Sequence, residues 1–280
     1  MEQSKPRVIL VLGGGGVKGL AHVGAYKAIE EAGLEIDEIG GTSIGALVGA
    51  CIAGGKGWAD LAPLAIALKK RDIVSMNGRS LLVNGIRQRS IFRGDRFASY
   101  VRSTLPVDRF EELRVPFSLN AVDLETGRVE WFGAGGRTDV SLADAVYASC
   151  ALPVFYPPAE IGGRLYVDGG VSDALPITRA AERGATVIVA VDVSAGPEKD
   201  AFDVVSKGMV AVHHRVFDIM AHARRRAILD AWDGPPLVYV RPRLEGISTF
   251  DFTRTQYFLE EGYRAAKRAI AAWKGEAVAV

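Results

Sequence analysis

The stretch Val8-Ile9-Leu10-Val11-Leu12-Gly13-Gly14-Gly15-Gly16-Val17-Lys18-Gly19 decides the fold. Its first five residues are rich in β-branched side chains and continuously apolar, as in a strand covered on both faces, and the glycines end it. Downstream, Leu20, Val23, Tyr26, Ala28, Ile29 and Ala32 recur at helical spacing until Gly33 stops the pattern. A short strand over residues 36–39 and a helix over 44–53 follow, joined by Gly40-Gly41. Strand, helix, strand, helix with tight glycine connections is the grammar of a parallel sheet with covering helices. Further strands are predicted at residues 117–122, 128–132, 165–167, 186–193 and 237–240, and long helices at 205–232 and 255–273. The expectation is one α/β domain over residues 1–280, a three-layer α/β/α arrangement around a mostly parallel central sheet, with residues 205–280 as a C-terminal helical extension.

Outward from that stretch, the 280 residues carry 34 Lys and Arg against 33 Asp and Glu, a balance that excludes a globally basic nucleic-acid binder. The 32 glycines exceed the average usage of roughly 7% and are clustered, which points to loops that shape the backbone. The neutral total conceals an imbalance. Residues 69–102 hold Lys69, Lys70, Arg71, Arg79, Arg87, Arg89, Arg93, Arg96 and Arg102 against Asp72 and Asp95, nine less two, a surplus of seven. This segment reads as an inserted helical cap, either a solvated face or a peripheral contact with an anionic membrane surface. Cys51 and Cys150 sit among small apolar residues and read as buried reduced thiols, without disulfide or metal spacing. Residues 1–7 are polar and lack the arrangement of a signal peptide, so a cytoplasmic location is expected. Residues 39–55 are apolar but carry Thr42, Ser43 and six glycines, which excludes a membrane span.

Gly14-Gly15-Gly16-Val17-Lys18-Gly19 fits G-x-G-x-x-G between a strand and a helix. Such a loop offers backbone N–H groups free of side chains, which hold a phosphate or a transient oxyanion equally well. A dinucleotide-binding reading would use Asp37 or Glu38 as the ribose ligand. A Walker loop is disfavoured, because Gly19 and Leu20 stand where Ser or Thr should bind magnesium. Gly41-Thr42-Ser43-Ile44-Gly45 matches G-x-S-x-G between a strand and a helix, the context of a nucleophile elbow. The bland alternative is a serine that caps the helix.

A serine nucleophile needs a base. Of the four histidines, His22 reads as a structural residue of the first helix, and His213, His214 and His222 as solvated positions on a polar helix. The other candidate is Asp168 in Tyr166-Val167-Asp168-Gly169-Gly170, at the end of an apolar strand. Burial without a cation would raise its pKa toward usefulness as a base. Asp-Gly is also a common turn pair, and the local residues leave both readings open.

Taken in order, Gly14 to Gly19, Gly41 to Gly45, Ala148-Ser149-Cys150-Ala151-Leu152-Pro153 with residues 155–158, and Asp168-Gly169-Gly170 strongly resemble the patatin-like phospholipases. The resemblance spans about residues 8–193, and residues 249–266, with Asp251-Phe252 and Glu261-Gly262-Tyr263, look like the C-terminal part of the bacterial members. It implies a patatin-like fold and a Ser-Asp dyad, with Ser43 as nucleophile and Asp168 as base. It further implies an oxyanion hole from Gly14, Gly15, Gly16, Lys18 and Gly19, an elbow flanked by Gly41 and Gly45, and a carboxylate positioned by Gly169 and Gly170. Lys18 would order the glycine loop or meet a lipid head group. The implied activity is release of fatty acid from phospholipid or neutral-lipid esters, with no metal or other cofactor. Cys150 departs from the serine or alanine usual at its position. Neither head group, acyl length nor oligomeric state follows.

Overall fold

The computed structural model describes residues 5–76, 87–194 and 199–275. Arg79 of the basic segment lies outside the described residues. In chain order the elements are β1 (Val8–Leu12), α1 (Leu20–Glu31), β2 (Glu38–Gly41), α2 (Ile44–Ala53), α3 (Trp58–Ala67), α4 (Lys70–Ile73) and α5 (Gly94–Thr104). They continue with β3 (Phe117–Asp123), β4 (Val129–Gly133), α6 (Leu142–Ser149), β5 (Ala159–Ile161), β6 (Arg164–Asp168), α7 (Ile177–Glu182) and β7 (Val187–Val191). The last four are α8 (Ala201–Ser206), α9 (Met209–Asp230), β8 (Leu237–Val240) and α10 (Thr255–Lys274).

β1 is buried along its whole length because it pairs in parallel with β2 on one edge and β7 on the other. Alternate side chains then face opposite layers. Val8, Leu10 and Leu12 enter a core shared with α1, α2, α6 and α10, while Ile9 and Val11 meet α7 and the end of α9 through Ile177, Ala180, Ile228 and Leu229. The strand order is β5-β6-β3-β2-β1-β7-β8, with β4 also on β3. The pairs β1–β2, β1–β7, β2–β3 and β7–β8 are parallel, whereas β3–β4, β3–β6 and β5–β6 are antiparallel. The sheet is therefore mixed, with its parallel part around β1.

Some boundaries differ from expectation for identifiable reasons. The second strand runs over Glu38–Gly41 instead of 36–39, and Asp37 ties its start to β1: its carboxylate accepts the Val8 N–H at 2.7 Å and its own N–H donates to the Val8 carbonyl at 2.9 Å. Gly40 and Gly41 thus lie within the strand. The predicted helix 205–232 is split at Gly208, whose φ of 85° separates α8 from α9. Residues 205–280 are not purely helical, since β8 extends the sheet beside β7 and α10 packs on α1. That crossing is close: a side chain on Gly24 would strike the Leu259 backbone, and one on Gly262 the Ala21 backbone. The described part of 69–102 is anchored by Ile73, Phe92, Phe97 and Val101 in the main core, while its arginines stay exposed.

Candidate active site

The register of β3 explains how residues far apart in sequence meet. Leu119 lies opposite Gly41 of β2, and Ala121, two residues on, lies opposite Asp168 of β6. β4 takes the other edge of both positions, through Phe132 and Glu130. The ends of β2 and β6 therefore approach along one edge of β3, separated by roughly 7 Å of strand. Ser43 follows β2, and its Oγ donates to Asp168 Oδ2 at 2.7 Å.

Ser43 stands at the N-cap position of α2 yet makes no capping hydrogen bond with its side chain. Its φ of 55° and ψ of −127° are strained for a residue with a Cβ. Neither Gly41 nor Gly45 has a positive φ; both are needed for space. A Cβ on Gly41 would lie 2.6 Å from the Gly45 carbonyl oxygen, and one on Gly45 would collide with the Leu12 carbonyl. The elbow is held from outside as well: the Ser43 N–H donates to the buried Ser149 hydroxyl at 2.9 Å. Thr42 donates to the Asn120 side-chain oxygen at 2.9 Å, and Asn120 in turn donates to the Asp173 carbonyl at 2.9 Å.

Asp168 uses its two carboxylate oxygens differently. Oδ1 accepts the Gly170 N–H at 2.7 Å, a turn-forming bond, while Oδ2 faces Ser43. Gly169 leaves room for Asn120, against whose side chain a Cβ would collide. Burial drives the Asp168 carboxyl up to about 7, against the opposing pull of the hydrogen bonds from Ser43 and Gly170.

The glycine loop passes beside Ser43 as a short 3-10 turn, Gly16–Gly19. Its donors are not equivalent. The Gly14 N–H is taken by the Ala174 carbonyl at 2.9 Å, which removes it from the expected oxyanion donors, and the Val17 N–H is taken by Thr249 at 2.9 Å. The N–H groups of Gly15 and Gly16 have no backbone acceptor among the described residues. Gly19 packs against Ile44, where a Cβ would clash. Lys18 is only 1% exposed, and desolvation lowers its pKa to about 8 despite the nearby Asp218.

His22 is a structural residue, as its sequence context suggested: buried, pushed down to about 4 by desolvation, its Nε2 bonded to the Gly13 carbonyl at 2.8 Å. His213 is exposed. His214 departs from the solvated position expected of it, while His222 is half-buried at the surface of α9. His214 turns inward, shares a hydrogen bond with Thr249 Oγ1 at 3.1 Å and packs against Phe155, while His222 Nδ1 accepts from Arg225 at 2.9 Å. None of the four bonds to Ser43 or Asp168. Sequence reasoning gave no role to Asn120, Ser149 or His214. A lone asparagine in the apolar run 117–122 was the available signal for the first.

The dinucleotide reading fails on position. Asp37 caps the start of β1, and Glu38 is buried between Arg7 at 2.6 Å and Arg183 at 2.8 Å. Glu38 pairs with Ile9, three residues short of the β1 end that carries the glycine loop. Ser43 and Asp168 instead sit at the floor of a pocket lined by Leu20, Ile44, Leu68, Ile73, Phe97 and Leu152, with Lys18 and His214 also on its wall. Cys51 and Cys150 are free and buried, and desolvation raises both thiols. Among the described residues no helix is long and apolar enough to cross a membrane.

A patatin-like phospholipase model matches residues 10–181. An uncharacterized NTE family protein of Mycobacterium tuberculosis is 35% identical over 234 residues, covering 81% of this chain and 61% of that protein. Lysophospholipase NTE1 of Coccidioides immitis is 31% identical over 299 residues, covering 95% of this chain and 18% of that protein. The chain thus spans less than two thirds of the length of these relatives. Among solved structures, VipD from Legionella pneumophila superposes with a TM-score of 0.55 at 14% identity, covering 95% of this chain and 67% of that one. Human GIVD cytosolic phospholipase A2 gives 0.55 at 13% identity, covering 98% and 60%. At such identities the likeness is one of fold; the family model, which matches more than half of the chain, carries the assignment. The chain belongs to the patatin-like phospholipase family.

Proposed function

We propose that this chain is a serine lipid acyl hydrolase that releases fatty acid from lipid esters through a Ser43–Asp168 dyad. The observation that carries this reading is the 2.7 Å hydrogen bond from Ser43 Oγ to a buried carboxylate at the floor of an apolar pocket. Asp168 takes the Ser43 proton as Oγ attacks the ester carbonyl, and the Gly15 and Gly16 N–H groups face the developing oxyanion. Ser43 also sits at the positive end of the α2 dipole. Collapse expels the alcohol, protonated by Asp168, and leaves an acyl-serine. Water that gives its proton to the same carboxylate then attacks the acyl carbonyl and frees the fatty acid. The acyl chain lies among Leu68, Ile73, Phe97 and Leu152. Single-chain lipids such as lysophospholipids are the first substrates to test, given the fungal relative.

A fluorophosphonate probe is expected to label the wild type and not Ser43→Ala, read by intact-protein mass spectrometry. Absence of labelling in a folded wild type, together with no hydrolysis of any ester in a lysophospholipid, phospholipid and short-chain panel, defeats the reading in favour of a lipid-binding module without turnover.

Ser149→Ala deprives the Ser43 N–H of its acceptor and frees a strained elbow. A kcat lower by roughly tenfold with little change in KM is expected. Unchanged kcat would show that the elbow holds without this bond.

A further inference from the structure

α8 and α9 both expose apolar side chains. Within α9, Met209, Val212, Val216 and Ile219 follow at intervals of three and four residues, the spacing that keeps side chains on one helix face, and α8 adds Phe202 and Val205 before the break at Gly208. All six are exposed, Phe202 by 88% and Met209 by 75%. The opposite side of α9 faces inward, where His214, Phe217, Ala221 and Arg225 line the pocket above Ser43. One helix is thus a pocket wall on one side and a bare apolar ridge on the other.

The charge distribution says what suits this ridge. In the segment that precedes and opens α5, Arg87, Arg89, Arg93 and Arg96 are exposed, with Asp95 as the acidic neighbour, paired to Arg93 at 3.1 Å. This segment is tied to α9. The Ile91 and Phe92 N–H groups donate to the Val154 and Phe155 carbonyls at 2.8 and 2.9 Å, and the Phe155 ring meets His214 edge-on at 5.5 Å. An exposed apolar face and an exposed basic segment are therefore joined through Phe155 and His214, the combination by which interfacial proteins hold anionic lipid. A purely apolar partner would satisfy the apolar face and leave the surplus of arginines over Asp95 unmatched.

We propose that the outer face of α8 and α9, together with the arginine rim of residues 87–96, docks on an anionic lipid bilayer, the ridge entering the interface and the rim meeting the head groups. The proposal rests on the lipid reading of the pocket, and it places the wall formed by α9 at the membrane surface.

Two outward-facing variants test it, the ridge triple Phe202→Gln/Met209→Gln/Val216→Gln and the rim triple Arg87→Gln/Arg89→Gln/Arg93→Gln. Wild type is expected to co-sediment with mixed phosphatidylcholine–phosphatidylglycerol vesicles, and each variant to bind them roughly tenfold or more weakly. Hydrolysis of p-nitrophenyl butyrate should stay within about twofold of wild type, because the reacting groups are untouched. If circular dichroism shows the ridge triple unfolded, Phe202→Gln alone is read in its place. Ridge variants that bind vesicles like wild type overturn the proposal. So does a wild type that ignores vesicles but forms a dimer, by light scattering, which the ridge variant dissolves. Should ridge-dependent vesicle binding occur with no ester hydrolysis by any form, the docking surface stands and the hydrolase reading falls.

Discussion

Ser43→Ala and Asp168→Asn are each expected to lower kcat on a lysophospholipid by about 10³-fold or more, while His213→Ala and His222→Ala keep most of the activity. On the proposed mechanism Ser43 Oγ carries the acyl group and the Asp168 carboxylate, to which Oγ donates its hydrogen bond, accepts its proton. Loss in a histidine variant with retention in Asp168→Asn would replace the dyad by a triad. The pH dependence follows from burial. Asp168 must be ionised to act as base and is raised to about 7, so kcat/KM should climb with pH through about 7 and flatten above it.

The same shift makes Asp168→Asn informative for stability. A carboxyl whose folded pKa lies above its unfolded value holds its proton more tightly when folded, so its contribution is present below the unfolded value of 3.8 and is lost as pH rises to about 7. A gap of that size corresponds to roughly 4 kcal/mol above neutral pH. Asparagine is close in shape and has no charge to bury. The inactive variant is therefore expected to unfold at higher temperature than wild type at pH 8, with the difference shrinking toward pH 5. An equal difference at both values would mean that the carboxylate is not desolvated.

Gly45→Ala is the second large effect, and it acts through packing. The new methyl would collide with the Leu12 carbonyl and lie 2.8 Å from the Gly13 carbonyl oxygen, both backbone atoms fixed by the β1 pairing. α2 cannot sit against the end of β1 without displacing the glycine loop. A destabilisation of about 3 kcal/mol, seen as a Tm lower by roughly 6–12 °C, is expected, with activity falling further than the folded fraction. A wild-type Tm in this variant would refute the close approach of helix and strand.

Much of the architecture was legible in local pattern. The apolar run 8–12 could only be a buried central strand, and Gly33 and Gly275 mark helix ends where the pattern breaks. What failed locally failed for tertiary reasons. Residues 36–39 look like a strand, yet the ladder with β1 runs from Glu38 to Gly41, a span set by the partner strand. β5 has three residues and exists only because β6 pairs with it. His214 lies in a polar stretch and would be solvated on an isolated helix, but Phe155 and Thr249 arrive from other elements to enclose it.

Local pattern suffices for the strand–glycine–helix opening, the glycine-flanked turn around Ser43 and the Asp168-Gly169-Gly170 turn, because each rests on interactions within a few residues. That Ser43 and Asp168, 125 residues apart, share a hydrogen bond depends on the assembled fold. The β3 register brings β2 and β6 end to end, and no local pattern specifies a register between distant strands. The assembled fold decides too which loop donors remain free, since Ala174 takes the Gly14 N–H. The altered pKa of Asp168 is likewise a property of the assembled core, since desolvation exists only once the surrounding elements have closed over the carboxyl.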